Sequence, residues 1–454
     1  MRDLFRRTGP IVVALTLSGM LLAGCEPPPS GPKFFGMHSD ETYDVDNTRI
    51  SSALDAEKAF GSRITRNTLS WKRSQPTRTT YDWAKTDYVV DQAAARGMQV
   101  LLTVREAPKW ANGSSDTRII PSDPAGFDQF VLDYKNFVKT AVQRYGDRVK
   151  YWEVWTEPNQ IYFWQPRGLD PSRDKERWID MYAQLYTKTR AAVRKINTSV
   201  EIAVGSIAGL GASCCIVGPV FLDGLITRGV VFDDVAIEPH SIRNQAPWKT
   251  IQNEGNFSDI KIMRDVLVYR SLSNVNLWIT EWGWKVAGYT SPGSTTTQLK
   301  VPGNFYALAL WPDTGQVVVA GVVRDYSSIT RNASYDSNGD GVPEPHNFIN
   351  LTTALPSAPA AGIEVASAKA EAKQAKFVQE AIKMLRGTYV PKSGRPQQNY
   401  NYVEIATYFE SYDHQRSSWG MYGLMHEPVP DYNHPGKWFL KGRPAAAAFM
   451  NGTT

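Results

Sequence analysis

YWEVWTEPN, residues 151–159, is the stretch on which the architecture turns. Its bulky and acidic residues alternate as in a strand, so Tyr151, Glu153, Trp155 and Glu157 share one face. Pro158 lacks the N–H that a ladder needs and ends the strand directly after Glu157. The chain thus presents an acid at the carboxyl end of a strand whose same face already carries Glu153.

Segments of this kind recur on both sides. Strand patterns run over 33–40, 61–69, 98–104, 149–157, 200–206, 230–240, 276–283 and 402–410. Helical spacing of apolar residues follows each of them, over roughly 49–60, 82–97, 124–145, 173–196, 218–228, 257–273, 366–387 and 442–450. Strands that each lead into a helix predict an α/β fold, a (β/α)8 TIM barrel, whose functional groups gather at the C-terminal ends of the strands.

One connection breaks the rhythm. About 285–365 is inserted between the seventh strand and its helix, with strand-like FYALALW and QVVVAGVVRDY separated by PDTG. This predicts a β-rich excursion over the barrel mouth and a wall for a substrate cleft. Inside it, DSNGDG sets Asp336, Asn338 and Asp340 at alternate positions before Gly341, which resembles the first half of a calcium loop. The twelfth position is Asn347 rather than the bidentate Glu of that loop, so a structural Ca2+ competes with a polar turn held by Asx hydrogen bonds.

With 454 residues, 42% of them hydrophobic and 21% charged without a block of one sign, the chain reads as a globular protein large enough for one barrel. Of the net charge of +5, the leader supplies +2 through Arg2, Arg6 and Arg7 against Asp3. No Lys/Arg stripe remains, so nucleic acid is not an expected partner. The leader, 1–24, has a basic start, an apolar stretch from Ile11 to Ala23 and a small-residue exit, the plan of an export signal too short to span a bilayer permanently. LAGC, Leu22–Cys25, resembles the bacterial lipobox and makes Cys25 the expected site of lipid attachment; an ordinary cleaved signal with a chance cysteine is the alternative. The expectation is an exported lipoprotein anchored to a membrane of the bacterial cell envelope. Its proline-rich linker would be 25–32 and its barrel domain 33–454. The remaining cysteines, Cys214 and Cys215, are adjacent and cannot cross-link distant segments; a vicinal disulfide and two free thiols both fit.

A second acid stands at an equivalent place. NLWITEWGW, 276–284, delivers Glu281 after an apolar run with no other charge, at the end of the seventh strand. Carboxyl groups ~5–5.5 Å apart across a glycosidic bond divide one reaction: one protonates the leaving oxygen and the other attacks the anomeric carbon. Their mutual repulsion keeps one protonated and the other charged. Either glutamate alone also reads as half of a salt bridge within the barrel. Two at matching strand ends favour catalysis, and Glu153 reads as buried and paired.

WTEPN, 155–159, resembles the WNEPN of clan A glycoside hydrolases, and ITEWGW, 279–284, resembles their nucleophile strand. The likeness is closest to family 39, the β-xylosidase and exopolysaccharide hydrolase family, and runs from about Phe34 to Gly442 outside the insertion. TRNTLSW (65–71), APKWA (107–111), IEPHS (237–241) and YFESYDH with SWGMYGL (408–414, 418–424) match supporting segments in the same order. The resemblance implies a retaining glycoside hydrolase that cleaves O-glycosidic bonds of an oligo- or polysaccharide by double displacement, without a required cofactor. Glu157 would be the acid/base and Glu281 the nucleophile. Arg66 would hold Glu281 ionised, and His240 would position a carboxylate or the sugar. A core salt bridge and a satisfied inner-face histidine are the competing readings of those two. Trp110, Trp282, Trp284, Tyr408, Phe409, Tyr412 and Trp419 lie near strand ends, where a ring can stack on a sugar.

Two departures bear on substrate. Thr156 replaces the family's asparagine, which contacts the sugar 2-hydroxyl, and a hydroxyl makes fewer hydrogen bonds than a carboxamide. Ile242 replaces a tyrosine that often follows the histidine. A metal-dependent barrel hydrolase would want clustered histidines, whereas the first strand carries only His38. A non-catalytic, lipid-anchored carbohydrate-binding barrel is the alternative that Thr156 favours.

Overall fold

The computed structural model describes residues 31–39, 46–210, 215–241, 245–251, 255–284, 295, 297–302, 305–306, 310–311, 316–319, 322–335, 344–354, 366–409, 429–430, 438–439 and 443–453. The leader with Cys25, the calcium-like residues Asp336, Asn338 and Asp340, and Cys214, Ile242, Tyr412 and Trp419 lie outside them. Cys215 is disulfide-bonded.

Eight parallel strands close a barrel: β1 (Phe34–His38), β2 (Ile64–Ser70), β3 (Gln99–Arg105), β4 (Tyr151–Val154), β5 (Glu201–Ala208), β6 (Asp234–Glu238), β7 (Asn276–Trp282) and β8 (Val403–Tyr408). Each pairs with its neighbours in sequence, and β8 closes on β1 with Phe34 opposite Ile405. The helices between them are α1 (Asn47–Ala59), α2 (Ala84–Ala95), α3 (Pro124–Tyr145), α4 (Lys175–Arg194), α5 (Gly218–Thr227), α6 (Asp259–Tyr269), α7 (Ala368–Leu385) and, after β8, α8 (Pro444–Thr453). The (β/α)8 expectation is thereby met.

Local chemistry starts these helices. Asp123 accepts from the Gly126 amide and Pro124 occupies the first turn of α3, while Asp46 caps α1 through the Arg49 amide. Along α3 the buried residues Phe127, Phe130, Val131, Tyr134, Phe137, Val138 and Ala141 form one apolar stripe against the barrel. Tyr134 and Tyr182 donate their hydroxyls to the carbonyls of Val104 and Val154, each at 2.7 Å, tying α3 and α4 to the ends of β3 and β4. Gly36 is required where β1 crosses β2, since a Cβ there would meet the Ile64 carbonyl oxygen at 1.8 Å.

The barrel interior is layered. Ile64, Leu101, Tyr151, Ala203, Ala236, Trp278 and Ile405 form an apolar floor. Above it the inward positions turn polar: Arg66, Thr103, Glu153 and Thr280 are all buried and bonded to one another. A second apolar core fills the space between strands and helices.

Between β7 and α7 lies an antiparallel sheet ordered Gln298–Pro302, Glu344–Leu351, Val322–Tyr335, Gln316–Val319, Leu310–Trp311. Phe305–Tyr306 pairs separately with Ala366–Ser367. No helix among the described residues is long and apolar enough to cross a membrane.

Candidate active site

The site is assembled by irregularities at the strand ends. β4 ends at Val154, earlier than its alternation suggests, because Trp155 adopts φ 70° and Glu157 φ 37°. Left-handed backbone at non-glycine residues costs roughly 1–3 kcal/mol each and persists where the surroundings hold it. Trp155 was expected on the inner face with Glu157. It instead turns into the helix layer, where its indole donates to the Phe163 carbonyl at 2.9 Å and its ring meets Trp164 edge-on. Glu157 is left over the mouth, its amide donating to the Ser206 carbonyl at 2.9 Å.

β5 gains a residue against β6 between Val204 and Ile207. That bulge turns the Ser206 amide onto Glu153 Oε1 at 3.1 Å and its hydroxyl to 3.0 Å from that of Thr156. β7 gains a residue against β8 between Ile279 and Trp282. Two consecutive side chains therefore reach the interior: Thr280 donates to Glu153 Oε1 at 3.0 Å, and Glu281 meets Arg66. Without the bulge, a strand with Thr280 inward would send Glu281 into the helix layer.

Arg66 is the hub, almost fully buried. Its Nη2 donates to Glu153 Oε2 at 2.7 Å and Glu238 Oε1 at 3.0 Å, its Nε donates to Glu153 Oε2 at 3.1 Å, and its Nη1 donates to Glu281 Oε1. His38 Nδ1 lies 3.1 Å from Glu281 Oε1 and His240 Nε2 lies 3.0 Å from Oε2. Burial alone would raise the Glu281 carboxyl, but His38, Arg66 and the His240 hydrogen bond outweigh it and hold it well below the usual carboxylate range. Glu157 goes the other way. Burial first, then the charge of Glu281, push it up to about 8, against the lowering influence of Glu238, Arg66 and Arg105. One acid is therefore protonated at neutral pH while its neighbour is ionised, the division expected of an acid and a nucleophile.

Glu238, His240 and Glu281 bring ligand-type atoms within 4.8 Å of one another. Arg66 donates to both carboxylates of that group, so a guanidinium already supplies its cation. Glu201, Asp234 and Glu404 cluster likewise at the opposite end of the barrel, where Lys33 lies 3.8 Å from Glu404.

Of the residues expected to bind sugar, Arg66, Thr156 and His240 converge with Glu157 and Glu281. Trp282, Trp284 and Tyr408 do not. All three are fully buried in the helix layer: Trp282 packs on Tyr408 with centroids 4.9 Å apart, and Trp284 packs against Phe257 and Phe377 at 5.6 Å. The β7 bulge that turns Glu281 inward sends Trp282 outward, which removes these rings from any sugar. Trp110 is half-buried, edge-on to Trp71 and 5.0 Å beneath the Arg78 guanidinium. Phe409, by contrast, lies beside both histidines, with centroids 5.4 Å from His38 and 5.2 Å from His240.

Sequence reasoning passed over His38 as a partner of Glu281, Glu238, and a cavity of about 190 Å³ beside Thr156. Arg105, Glu106, Arg118, Tyr162 and Phe163 line this cavity, and Tyr162 is 53% exposed. The signal was the aromatic run IYFW immediately after EPNQ.

The glycosyl hydrolase family 10 model matches residues 30–163, a span that holds Arg66 and Glu157 but not Glu281. An endo-1,4-beta-xylanase of Agaricus bisporus is 24% identical over 248 residues, 51% of this chain and 66% of that protein. Endo-1,4-beta-xylanase C of Paenibacillus barcinonensis is 33% identical over 104 residues, 22% of this chain and 9% of that protein. The chain thus spans less than two thirds of the length of either relative. Among solved structures, a family 39 glycoside hydrolase from Bacteroides cellulosilyticus WH2 aligns with TM-score 0.54 and 16% identity, covering 94% of this chain and 64% of that one. A family 10 xylanase of Bispora sp. MEY-1 aligns with TM-score 0.50 and 12% identity, covering 92% and 96%. At such identities the structural likeness carries the barrel fold alone. On the family-model match over 30–163, with the Agaricus relative beside it, the chain is similar to clan A of the glycoside hydrolases.

Proposed function

We propose that the chain hydrolyses O-glycosidic bonds of an oligo- or polysaccharide with retention of configuration, Glu281 acting as nucleophile and Glu157 as general acid and then base. The observation that carries this reading is the placement of two glutamates at strand ends over one barrel mouth, Glu281 held by Arg66, His38 and His240 and Glu157 buried beside it without such a cation partner of its own among the described residues. Glu281 attacks the anomeric carbon while Glu157 gives its proton to the leaving oxygen; water then enters as Glu157 takes a proton back. Arg66 and His38 offset the charge of the attacking carboxylate, and the His240 hydrogen bond orients it. Because both relatives are named endo-1,4-beta-xylanases, β-1,4-xylan is the first substrate to try. By its leader, the protein is exported and lipid-attached at Cys25.

The test uses aryl glycosides. Glu157→Ala should lose about 10²–10⁴-fold in kcat on poor leaving groups, the usual worth of a general acid, and recover part of it with azide, which takes the place of the base-activated water. In the native enzyme kcat/KM should fall as pH rises through about 8, where Glu157 loses its proton. Full activity of the Ala variant without azide would reject the acid/base role.

The cavity beside Thr156 is the candidate sugar subsite, with Tyr162 as its stacking face. Tyr162→Ala should raise KM for oligosaccharides about tenfold, the equivalent of roughly 1.4 kcal/mol, and leave KM for a simple aryl glycoside nearly alone. Steady-state kinetics on both substrates decide it; equal effects on the two would remove Tyr162 from the binding surface.

A further inference from the structure

Glu238 has no part in the reaction as assigned to Glu157 and Glu281, yet it touches both halves of the site. It stands at the end of β6, buried, two residues before His240. Its Oε1 accepts from Arg66 Nη2 at 3.0 Å and from the Thr156 hydroxyl at 3.4 Å, and its carboxyl is hydrogen-bonded to that of Glu157. Two carboxyl groups can bond to each other only through a proton on one of them. Since Oε1 already receives two donors, Glu238 has its other oxygen left to carry that proton. Burial, and then Glu281, Glu157 and Glu153 around it, hold the proton on Glu238 well above the usual carboxylate range against the pull of Arg66.

We infer that Glu238 is a positioning residue for the acid/base, a carboxyl group that donates a hydrogen bond to one oxygen of Glu157 and leaves the other to face the scissile bond. The inference rests on the acid/base reading of Glu157. As Glu157 passes its proton to the leaving oxygen it becomes a carboxylate, and the bond from Glu238 becomes charge-assisted and stronger. That gain appears in the transition state and not before, so it lowers the barrier. When Glu157 recovers a proton from water the bond relaxes; Glu238 keeps its own proton throughout. The charged or titratable groups facing this pair are His38 on β1, Arg66 on β2, Arg105 at the end of β3, Glu153 on β4, Glu281 on β7 and His240 beyond β6. A carboxamide can take the same place, its oxygen toward Arg66 and Thr156 and its NH2 toward Glu157.

The experiment compares Glu238→Gln with Glu238→Leu on aryl glycosides whose leaving groups span a wide range of acidity, with melting temperatures measured alongside. The Leu variant should lose about 10²-fold in kcat on poor leaving groups and at most about tenfold on dinitrophenyl ones, with little change in KM. The Gln variant should recover most of that loss, and its alkaline limb of kcat/KM should stay in place. A Gln variant as damaged as Leu, or with its limb moved acidward, would mean that Glu238 works as an anion and would overturn the inference. So would a loss equal across all leaving groups, the mark of a merely structural role. Should the Leu variant fail to fold, the Gln pH profile alone decides between donor and anion. The two readings separate cleanly: turnover that survives Glu281→Gln removes the glycosidase, whereas loss there with indistinguishable Gln and Leu variants at Glu238 removes only the positioning role.

Discussion

Glu281→Gln should abolish turnover, with kcat reduced by at least about 10⁴-fold on any aryl glycoside, because the carboxylate that forms the covalent intermediate is gone. The amide keeps the shape of the side chain and so keeps the fold. Its effect reaches further than the missing nucleophile. Glu281 contributes to holding the Glu157 proton, so removing that charge should bring the titration of Glu157 down from about 8. Carboxyl-carbon NMR of the variant reads this directly, without turnover. A nearly native rate would end the assignment of Glu281. An unmoved Glu157 titration would show that burial alone sets its proton.

Arg66→Met should be the most destabilising single change in the site. One guanidinium serves Glu153 and Glu238, both fully buried, and Glu281 at the rim above them. Removing one partner from a buried ion pair typically costs about 3–5 kcal/mol, because the other charge is left without compensation. The sign of its pH dependence follows from the carboxylates. Losing the cation raises the pKa of Glu281, which Arg66 helps to hold down in the folded state, so a proton can replace the guanidinium there as pH falls, and the deficit against the native protein should be smaller at pH 5 than at pH 7. Urea unfolding at the two values measures it. A variant as stable as the native protein at pH 7 would mean that the cluster sheds its charge in some other way. Activity should be lost as well, since Glu281 would no longer be held ionised.

Much of this was legible in local pattern. Period-two alternation with helical spacing between strands placed all eight barrel strands, because each must bury one face toward the core whatever its neighbours do. The acids at 157 and 281 were legible because Pro158 and the charge-free run before Glu281 mark strand ends. The aromatics were read in error for an equally physical reason. Trp282, Trp284 and Tyr408 do lie at strand ends, but the side of a strand on which a ring emerges depends on register. The extra residue in β7 depends on pairing with β8, more than a hundred positions away.

The amino-acid order by itself determined the closed alternation of strand and helix and the two glutamates at its rim, since both follow from short-range periodicity and from where a ladder must stop. The tertiary structure decided the rest: which faces the bulges in β5 and β7 present, the gathering of His38, Arg66, Glu238 and His240 around those acids, and the division of protons between them. Those properties depend on burial and on charges brought together from strands distant in the chain, and neither exists before the barrel closes.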